Sequence, residues 1–359
     1  MRFIHTADLH IGMKPDKDRV WGFSRADAVR TALSRLISRC NEEEIDLLLI
    51  AGDLFHRPPT VSELREADAL FVRLNHTKVV LIAGNHDHLR PGCAYADFAF
   101  SPNVFFIDSA ELAEVSFPQW NLVVHGFSYH SELLPEARLD GLRAPEDGKR
   151  HILLAHGGDA SHVPFRLNEL QKQGWDYVAL GHLHKPGLTR DSRIAMPGSP
   201  EPLDHTETGR HGYFQGKLTT HDFELDWRNF SDFQYTDLSV KITPETTFSA
   251  LEAWLDDHLK KDGSEAVNLT LKGFRDPELT FDPDLIRRLG FICEVRDLTE
   301  PDYPWEEWKT RPEHDLLARY IAALSDGSAA EEAVRKKALY YGIRALLSSE
   351  RTAGSEVLR

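Results

Sequence analysis

Residues 79–87 read Val-Val-Leu-Ile-Ala-Gly-Asn-His-Asp: an apolar run, a glycine, then amide, imidazole and carboxylate side by side. A short β-rich apolar run without polar alternation reads as a strand buried on both faces. Asn and His placed together after such a strand serve no packing purpose, so the stretch marks chemistry. The same order recurs on either side of it. Phe3-Ile4 leads to Asp8-Leu9-His10, and Leu47-Leu48-Leu49-Ile50-Ala51 leads to Gly52-Asp53. Ile152-Leu153-Leu154-Ala155 leads to His156-Gly157-Gly158, and Tyr177-Val178-Ala179-Leu180 leads to Gly181-His182-Leu183-His184.

Helical patterns lie between these runs. Residues 25–40 carry Val29, Leu33, Leu36, Ile37 and Cys40 at the spacing of one buried face, and residues 61–75 carry Leu64, Ala67, Leu70, Phe71 and Leu74. Thr60 and Glu63 are spaced as a capping box at the second start. Strands alternating with helices predict an α/β fold. In such sheets ligands bind beyond the carboxyl ends of the strands, where all five polar clusters fall. Residues 103–126 and 193–227 read as extra strands of a second or extended sheet.

A first domain therefore spans 1–230. Residues 236–299 read as a small α+β accessory domain: strand 238–242, helix 248–260, strand 267–272, short helix 284–289 and strand 291–295. Residues 300–359 read as a linker, Pro-rich from Pro301 to Pro312, and two closing helices at 313–324 and 329–347.

Composition bounds the rest. With 359 residues, 41% of them apolar, the chain can bury a large core and suggests about two domains. Cys40, Cys93 and Cys293 lie far apart, which excludes a disulfide scaffold and a thiolate zinc site. No apolar run approaches the ~20 residues of a membrane span, and the start already reads as a strand rather than a leader, so a cytoplasmic location is expected. The net charge of −15 argues against a polyanion binder held by bulk charge. Metal ions and a local basic strip can still hold a phosphate on an acidic protein. Of 18 histidines, 16 precede residue 222, which places imidazole chemistry in the first two thirds of the chain.

The clusters supply Asp8, His10, Asp53, Asn85, His156, His182 and His184. Mixed carboxylate, imidazole and amide-oxygen donors suit divalent ions such as Mn, Fe or Zn. Seven ligands are too many for one ion that keeps an open position, but they fit two ions sharing one carboxylate, which can clamp a phosphoryl oxygen for in-line displacement. Asp53 is the natural bridge; Asp8, His10 and His184 would complete one ion, and Asn85, His156 and His182 the other. Singly, Asp-x-His or Gly-Asp after a strand is commonly a turn. Jointly and in order, the set points to a metal site.

Asp-x-His, Gly-Asp, Gly-Asn-His-Asp, His and Gly-His-x-His, in this order over residues 8–184, resemble the motifs of the calcineurin-like metallophosphoesterases. The chain resembles most the double-strand-break repair nucleases of that superfamily, including the bacterial SbcD-type exonuclease subunit. Asp8–Gly12, Gly52–His56 and Met196-Pro197-Gly198-Ser199-Pro200-Glu201-Pro202-Leu203 carry the narrower match. The resemblance implies a four-layer α-β-β-α sandwich, two Mn ions (Fe, Zn or Mg being alternatives) and hydrolysis of DNA phosphodiesters. It implies that His86 sits over the scissile phosphate as orienter or general acid, that Asp87 orients His86, and that His56 helps place the phosphate; a solvated loop histidine is the plain alternative for His56.

The unit at 236–299 corresponds in position to the family's capping domain, which contacts DNA. Lys14, Lys17, Arg57, Arg90 and Lys185 follow the site motifs and could grip flanking phosphates, although each singly reads equally as a solvated surface residue. The resemblance also implies a homodimer through 61–75 and the loop 90–100, where Tyr95, Phe98 and Phe100 suit either an interface or the core. A coiled-coil SMC-like ATPase partner would be gripped by a helix such as 329–347, with Val334, Ala338, Tyr341 and Ala345 on one face; the same helix could pack on its own domain. A phosphodiesterase or phosphatase acting on a nucleotide or another small phosphoester shares the chemistry at phosphorus and is the competing reading.

Overall fold

The uninterrupted apolar runs become the central strands of two six-stranded sheets. The computed structural model describes residues 1–356 apart from 192, 220–221, 311–314 and 326–331. Strands β1 (Arg2–Thr6), β2 (Leu47–Ala51), β3 (Lys78–Ile82) and β4 (Val104–Ile107) are followed by β5 (Ala113–Phe117), β6 (Leu122–Gly126), β7 (Arg150–His156) and β8 (Tyr177–Gly181). Then come β9 (Gly187–Leu188), β10 (Ile194–Met196), β11 (Gly212–Leu218) and β12 (Phe223–Asn229). The first sheet has the order β12-β11-β1-β2-β3-β4 and the second β5-β6-β7-β8-β10-β9. Neighbours among β1–β4 are parallel, as are β6, β7, β8 and β10, with antiparallel strands at the edges.

Alternation along each strand builds the layers. In β2, Leu47, Leu49 and Ala51 join Val124, Ile152, Leu154 and Ala179 in the core between the sheets. Leu48 and Ile50 turn the other way, onto Leu33, Leu36, Leu64 and Phe71 of helices α1 (Gly22–Glu42) and α2 (Val61–Phe71). Both faces are dry, which is why these strands carry no polar alternation. The Thr60–Glu63 capping box forms as expected, each side chain bonding the other's backbone N–H. The outer face of the second sheet is covered by Leu134, Leu139, Val163, Leu170 and Trp175, from loops and a four-residue helix. The α-β-β-α sandwich thus has one thick helical layer and one thin layer of loop.

Tyr95, Phe98 and Phe100, from the loop around helix α3 (Ala94–Asp97), pack on the core beneath α2, and the Tyr95 hydroxyl donates to Asp87 Oδ2 at 3.1 Å. Tyr95 is a core residue, and Phe98 and Phe100 are half-buried against it. α4 (Leu167–Leu170) closes the first set of helices.

The chain divides into two compact units: Met1–Asp237 with Lys260–Asn268, and Leu238–Leu259 with the chain from Leu269 onward. These bounds differ from a simple split near residue 230. Tyr235 is fully buried in the first unit, where its hydroxyl donates to Asp16 Oδ2 at 2.7 Å. A three-stranded sheet has the order β13 (Gln234–Ile242), β14 (Glu265–Arg275), β15 (Ile292–Pro301), accompanied by α5 (Phe248–His258) and α6 (Pro283–Ile286). The Pro-rich stretch after β15 is not a bare linker. It contains α7 (Trp305–Lys309), and Tyr303 and Trp308 are buried with Leu317, Ile321 and Ile343 of α8 (Leu316–Ser325) and α9 (Glu332–Glu356). On α9, Ile343 packs inward while Val334 and Tyr341 are 72% and 73% exposed. Residues 329–331 of the expected closing helix lie outside the described residues. Among the described residues, no helix is long and apolar enough to cross a membrane.

Candidate metal centre

The site begins where β1, β2, β3, β7 and β8 end. Beyond β1 the chain runs on beside the segment after β2: Asp8 N donates to Gly52 O, His10 N to Asp53 O and Ile11 N to Leu54 O. This brings the first two motifs into register without a regular strand. It also requires unusual backbone. Asp8, His10, Asp53 and His182 all have positive φ, at 55°, 46°, 50° and 104°. Non-glycine residues seldom adopt that region, and each instance costs roughly 1–3 kcal/mol. Four such residues within one cluster indicate that the fold sustains strain there to aim side chains. Gly52 (φ 89°) is glycine for a second reason, because a Cβ there would lie 2.5 Å from His156 Nδ1.

All seven expected ligands converge. Asp8, His10 and His184 offer donor atoms within 4.8 Å of one another, as do Asp8, Asp53 and His156. Asp53 Oδ2 lies 3.6 Å from His10 Nε2 and 3.4 Å from His156 Nε2, the midpoint expected of a bridge. His10 Nε2 and His184 Nε2 are 3.1 Å apart. Asn85 Oδ1 lies 2.9 Å from His156 Nε2 and 3.2 Å from His182 Nδ1.

The donor chemistry tests whether cations fit. His156 Nδ1 donates to the Ala51 carbonyl at 2.8 Å, so in the neutral ring Nε2 turns a lone pair toward Asn85 Oδ1 and Asp53 Oδ2. Acceptors facing acceptors in a dry site are unstable unless positive charge lies among them. Two divalent ions fit that set: Asp8, His10, Asp53 and His184 for one, Asp53, Asn85, His156 and His182 for the other.

The electrostatics agree. Burial raises Asp8 above the usual carboxylate range, whereas for Asp53 the His156 imidazole outweighs burial and holds the carboxyl below it. Burial pulls His156 down, but Asp53 and Asp8 outweigh it and lift the ring to about 9. His184 likewise reaches about 9, burial being outweighed by its hydrogen bond to Glu207 and by Asp8. Burial depresses His10, and lowers His182 to about 4. Without a cation, a proton on one imidazole of each half answers the two carboxylates; a divalent ion would take the place of that proton and leave the ring neutral.

His86 and His56 stand at the rim. His86 is exposed, its ring 4.7 Å from that of His10 and stacked on His56 at 5.2 Å and 23°. His86 Nδ1 donates to the His56 carbonyl at 3.2 Å, and His86 N donates to Asp53 Oδ1 at 2.9 Å. The expectation that Asp87 orients His86 is corrected. Asp87 is fully buried and accepts from Gly84 N (2.8 Å), Phe55 N (3.1 Å) and Tyr95 Oη (3.1 Å). It braces the turn that carries Asn85 and His86. Burial and the charge of Asp53 push its carboxyl up to about 7, against the pull of the backbone donors toward the ionised form.

The expected phosphate contacts divide. Lys14 and Lys17 line a cleft of about 550 Å³ that also holds Met13, Arg19, His56 and Asp204. Arg57 is paired with Glu63 at 2.8 Å, which neutralises it. Arg90 and Lys185 are exposed, with no contact that draws them to this cleft. The Met196–Leu203 segment packs behind the site: Ser199 N donates to His184 O, and buried Glu201 pairs with Arg25 at 3.1 Å and Arg35 at 2.7 Å. Two carboxylates outside the motif set, Asp159 and Glu207, reach the outer nitrogens of His182 and His184. Asp159, three residues after His156, carried a faint sequence signal. Glu207 carried none.

Residues 1–186 match the calcineurin-like phosphoesterase family. The chain belongs to that family. Calcineurin-like phosphoesterases are hydrolases of phosphoesters built around a dinuclear metal site, and the residues able to hold it here are those just described. The phosphoesterase is 29% identical over 296 residues to the uncharacterized metallophosphoesterase YhaO of Bacillus subtilis, covering 76% of this chain and 72% of that one. It is 26% identical over 265 residues to the DNA double-strand break repair protein Mre11 of Methanopyrus kandleri, covering 63% of this chain and 57% of that protein's length. A purple acid phosphatase from yellow lupin superposes with a TM-score of 0.40 and 12% identity, over 64% of this chain and 51% of the other.

Proposed function

We propose that this phosphoesterase is a metal-dependent DNA nuclease of the double-strand-break repair type, hydrolysing phosphodiesters at DNA ends. The observation that carries the reading is the open rim. Exposed His86 and half-buried His56 stand stacked at the metal cluster, and His56 also lines a cleft whose walls carry Lys14, Lys17 and Arg19 together with Asp16, Asp18 and Asp204. A polymer phosphate can reach such a rim and be held on both sides of the cut. The likeness to an archaeal break-repair protein supports the same substrate. Association with a second copy, or with an SMC-like ATPase, belongs to this proposal as a way of gating the nuclease.

Two divalent ions, Mn being the first choice, supply Lewis acidity and an activated water when bound. The chain does the rest. Because a carbonyl only accepts, His86 Nδ1 carries the hydrogen bonded to His56 O, and Nε2 is the nitrogen left to exchange a proton. With a second hydrogen on Nε2 the ring is an imidazolium. As the water oxygen bonds to phosphorus and the phosphorus–oxygen bond to the leaving sugar breaks, Nε2 gives that hydrogen to the leaving oxygen. The ring is left neutral with its hydrogen on Nδ1, and the proton shed by the attacking water passes to solvent. His56 holds the His86 ring by stacking and by its carbonyl.

The test is a cleavage panel with Mn, Mg and chelator, on end-labelled duplex DNA, single-stranded DNA and bis-p-nitrophenyl phosphate. Mn-dependent degradation of duplex DNA that the chelator stops is the expected result. Hydrolysis of the small diester alone would sink the DNA assignment and favour a phosphodiesterase for small phosphoesters.

A further inference from the structure

The Gly181–His184 turn delivers two imidazoles, and each has a carboxylate behind it. His184 Nε2 lies 3.1 Å from His10 Nε2, and its other nitrogen, Nδ1, is 2.6 Å from Glu207 Oε1. His182 is arranged the opposite way round: Nδ1 is 3.2 Å from Asn85 Oδ1, and Nε2 is 2.7 Å from Asp159 Oδ2. An ionised carboxylate only accepts, so in each ring the outer nitrogen carries the hydrogen, and in the neutral ring that a metal ligand must be the inner one turns its lone pair to the cluster. The two rings are thereby held in opposite tautomers, Nδ1–H for His184 and Nε2–H for His182. Free neutral imidazole prefers Nε2–H, so His184 depends more on its partner than His182 does.

We propose that Glu207 and Asp159 are positioning residues of the metal centre, one for each ion. Glu207 fixes His184 toward the Asp8–His10 half, and Asp159 fixes His182 toward the Asn85–His156 half. The inference rests on the reading that these seven residues hold two divalent ions. Outer carboxylates of this kind fix ring orientation and raise ligand basicity.

The surroundings rank the two. Glu207 is 16% exposed, and its Oε2 accepts from Leu203 N at 2.9 Å and Ser199 Oγ at 3.3 Å. It therefore ties the segment after β10 to the metal half it serves. Asp159 is 45% exposed and divides its oxygens among His182, His162 and Ser161. Water competes for Asp159 far more than for Glu207, so loss of Glu207 has the larger effect.

The experiment uses the full chain, stripped with chelator and titrated with Mn²⁺ by calorimetry and electron paramagnetic resonance. Wild type should take up two ions and show the broadened signal of a coupled pair. Glu207→Ala should weaken one ion about 10–100-fold and leave the hyperfine-split signal of an isolated ion. Asp159→Asn should weaken the other ion by about tenfold or less. Glu207→Gln keeps an acceptor oxygen without the charge; it should fall between Glu207→Ala and wild type, and it carries the test if the alanine variant does not fold. Lys172→Ala removes an exposed ion pair with Glu169 that touches neither ring nor either carboxylate and should bind as wild type does. Glu207 and Asp159 variants that bind both ions with wild-type affinity overturn the proposal, as does an equal loss in Lys172→Ala. A wild type that takes up fewer than two ions overturns the dinuclear reading itself.

Discussion

The two sheets contribute unlike halves of one centre. The first sends Asp8, His10, Asp53 and Asn85 from the ends of β1, β2 and β3, and three of these four residues sit at positive φ. The second sends His156, His182 and His184 from β7 and β8, and each of these rings has an acceptor behind it: Ala51 O, Asp159 or Glu207. The first side thus supplies both carboxylates with one imidazole and holds them mainly through strained backbone. The second supplies imidazoles alone and holds them through hydrogen bonds, His182 at φ 104° adding strain of its own. Strained backbone aims a short carboxylate well, because few side-chain torsions follow it. An imidazole needs more, since its ring orientation and tautomer must also be chosen.

The largest effect is expected of Asp53→Ala. If Asp53 is the shared carboxylate, both ions should be lost together and hydrolysis of bis-p-nitrophenyl phosphate should fall roughly 10⁴-fold or more. Retention of one tightly held ion, measured by elemental analysis, would confine Asp53 to one half. His86→Ser comes next. Hydrolysis should drop roughly 10²–10⁴-fold with metal content unchanged, because His86 stands outside the ligand set; a parallel loss of metal would return it to that set.

Stability separates the strained side further. A Cβ at Gly84 would collide with the Asp53 carboxylate. Gly84→Ala should therefore lower unfolding stability by about 1–3 kcal/mol in urea titrations and disturb metal uptake as well; an unchanged midpoint would show the turn to be pliant. Asp87→Asn keeps one acceptor oxygen but turns the other into an NH2 that faces a buried donor, which should cost about 1–3 kcal/mol of stability, with a smaller effect on turnover than His86→Ser. The reverse ranking would restore an orienting role to Asp87. The smallest effect is expected at Arg57, whose charge already meets Glu63 at 2.8 Å. Arg57→Ala should change cleavage less than about threefold, and a large loss would show that DNA draws the pair apart.

Much of this was legible in the residues. The five strand-and-polar-cluster units, both long helices and the capping box are local patterns, and they formed at the expected places. The metal-ligating types were legible too, because a carboxylate, amide or imidazole at the end of a dry strand has few roles besides chemistry. Reading failed where a side chain could face two ways. Asp87 stands beside His86 in the sequence, yet it turns inward to three buried donors. Tyr95, Phe98 and Phe100 suit an interface or the core equally as sequence; Tyr95 is buried, and Phe98 and Phe100 lie half-buried against the same core. The Pro-rich segment looks like a linker, but it buries Tyr303 and Trp308 against the closing helices.

The order of buried strands and the donor atoms that follow each of them are written in local sequence. Those depend on residues within a few positions of one another, through periodicity and side-chain type. Only the tertiary structure decided which nitrogen of each histidine faces the cluster, which carboxylates stand behind the rings and which cations are already paired. Glu207 meets His184 across 23 residues, and Asn85 meets His156 and His182 across 71 and 97. Such partners are chosen by the packing of two sheets against each other, because a tautomer is set by whichever acceptor lies within hydrogen-bond reach, wherever in the chain it comes from.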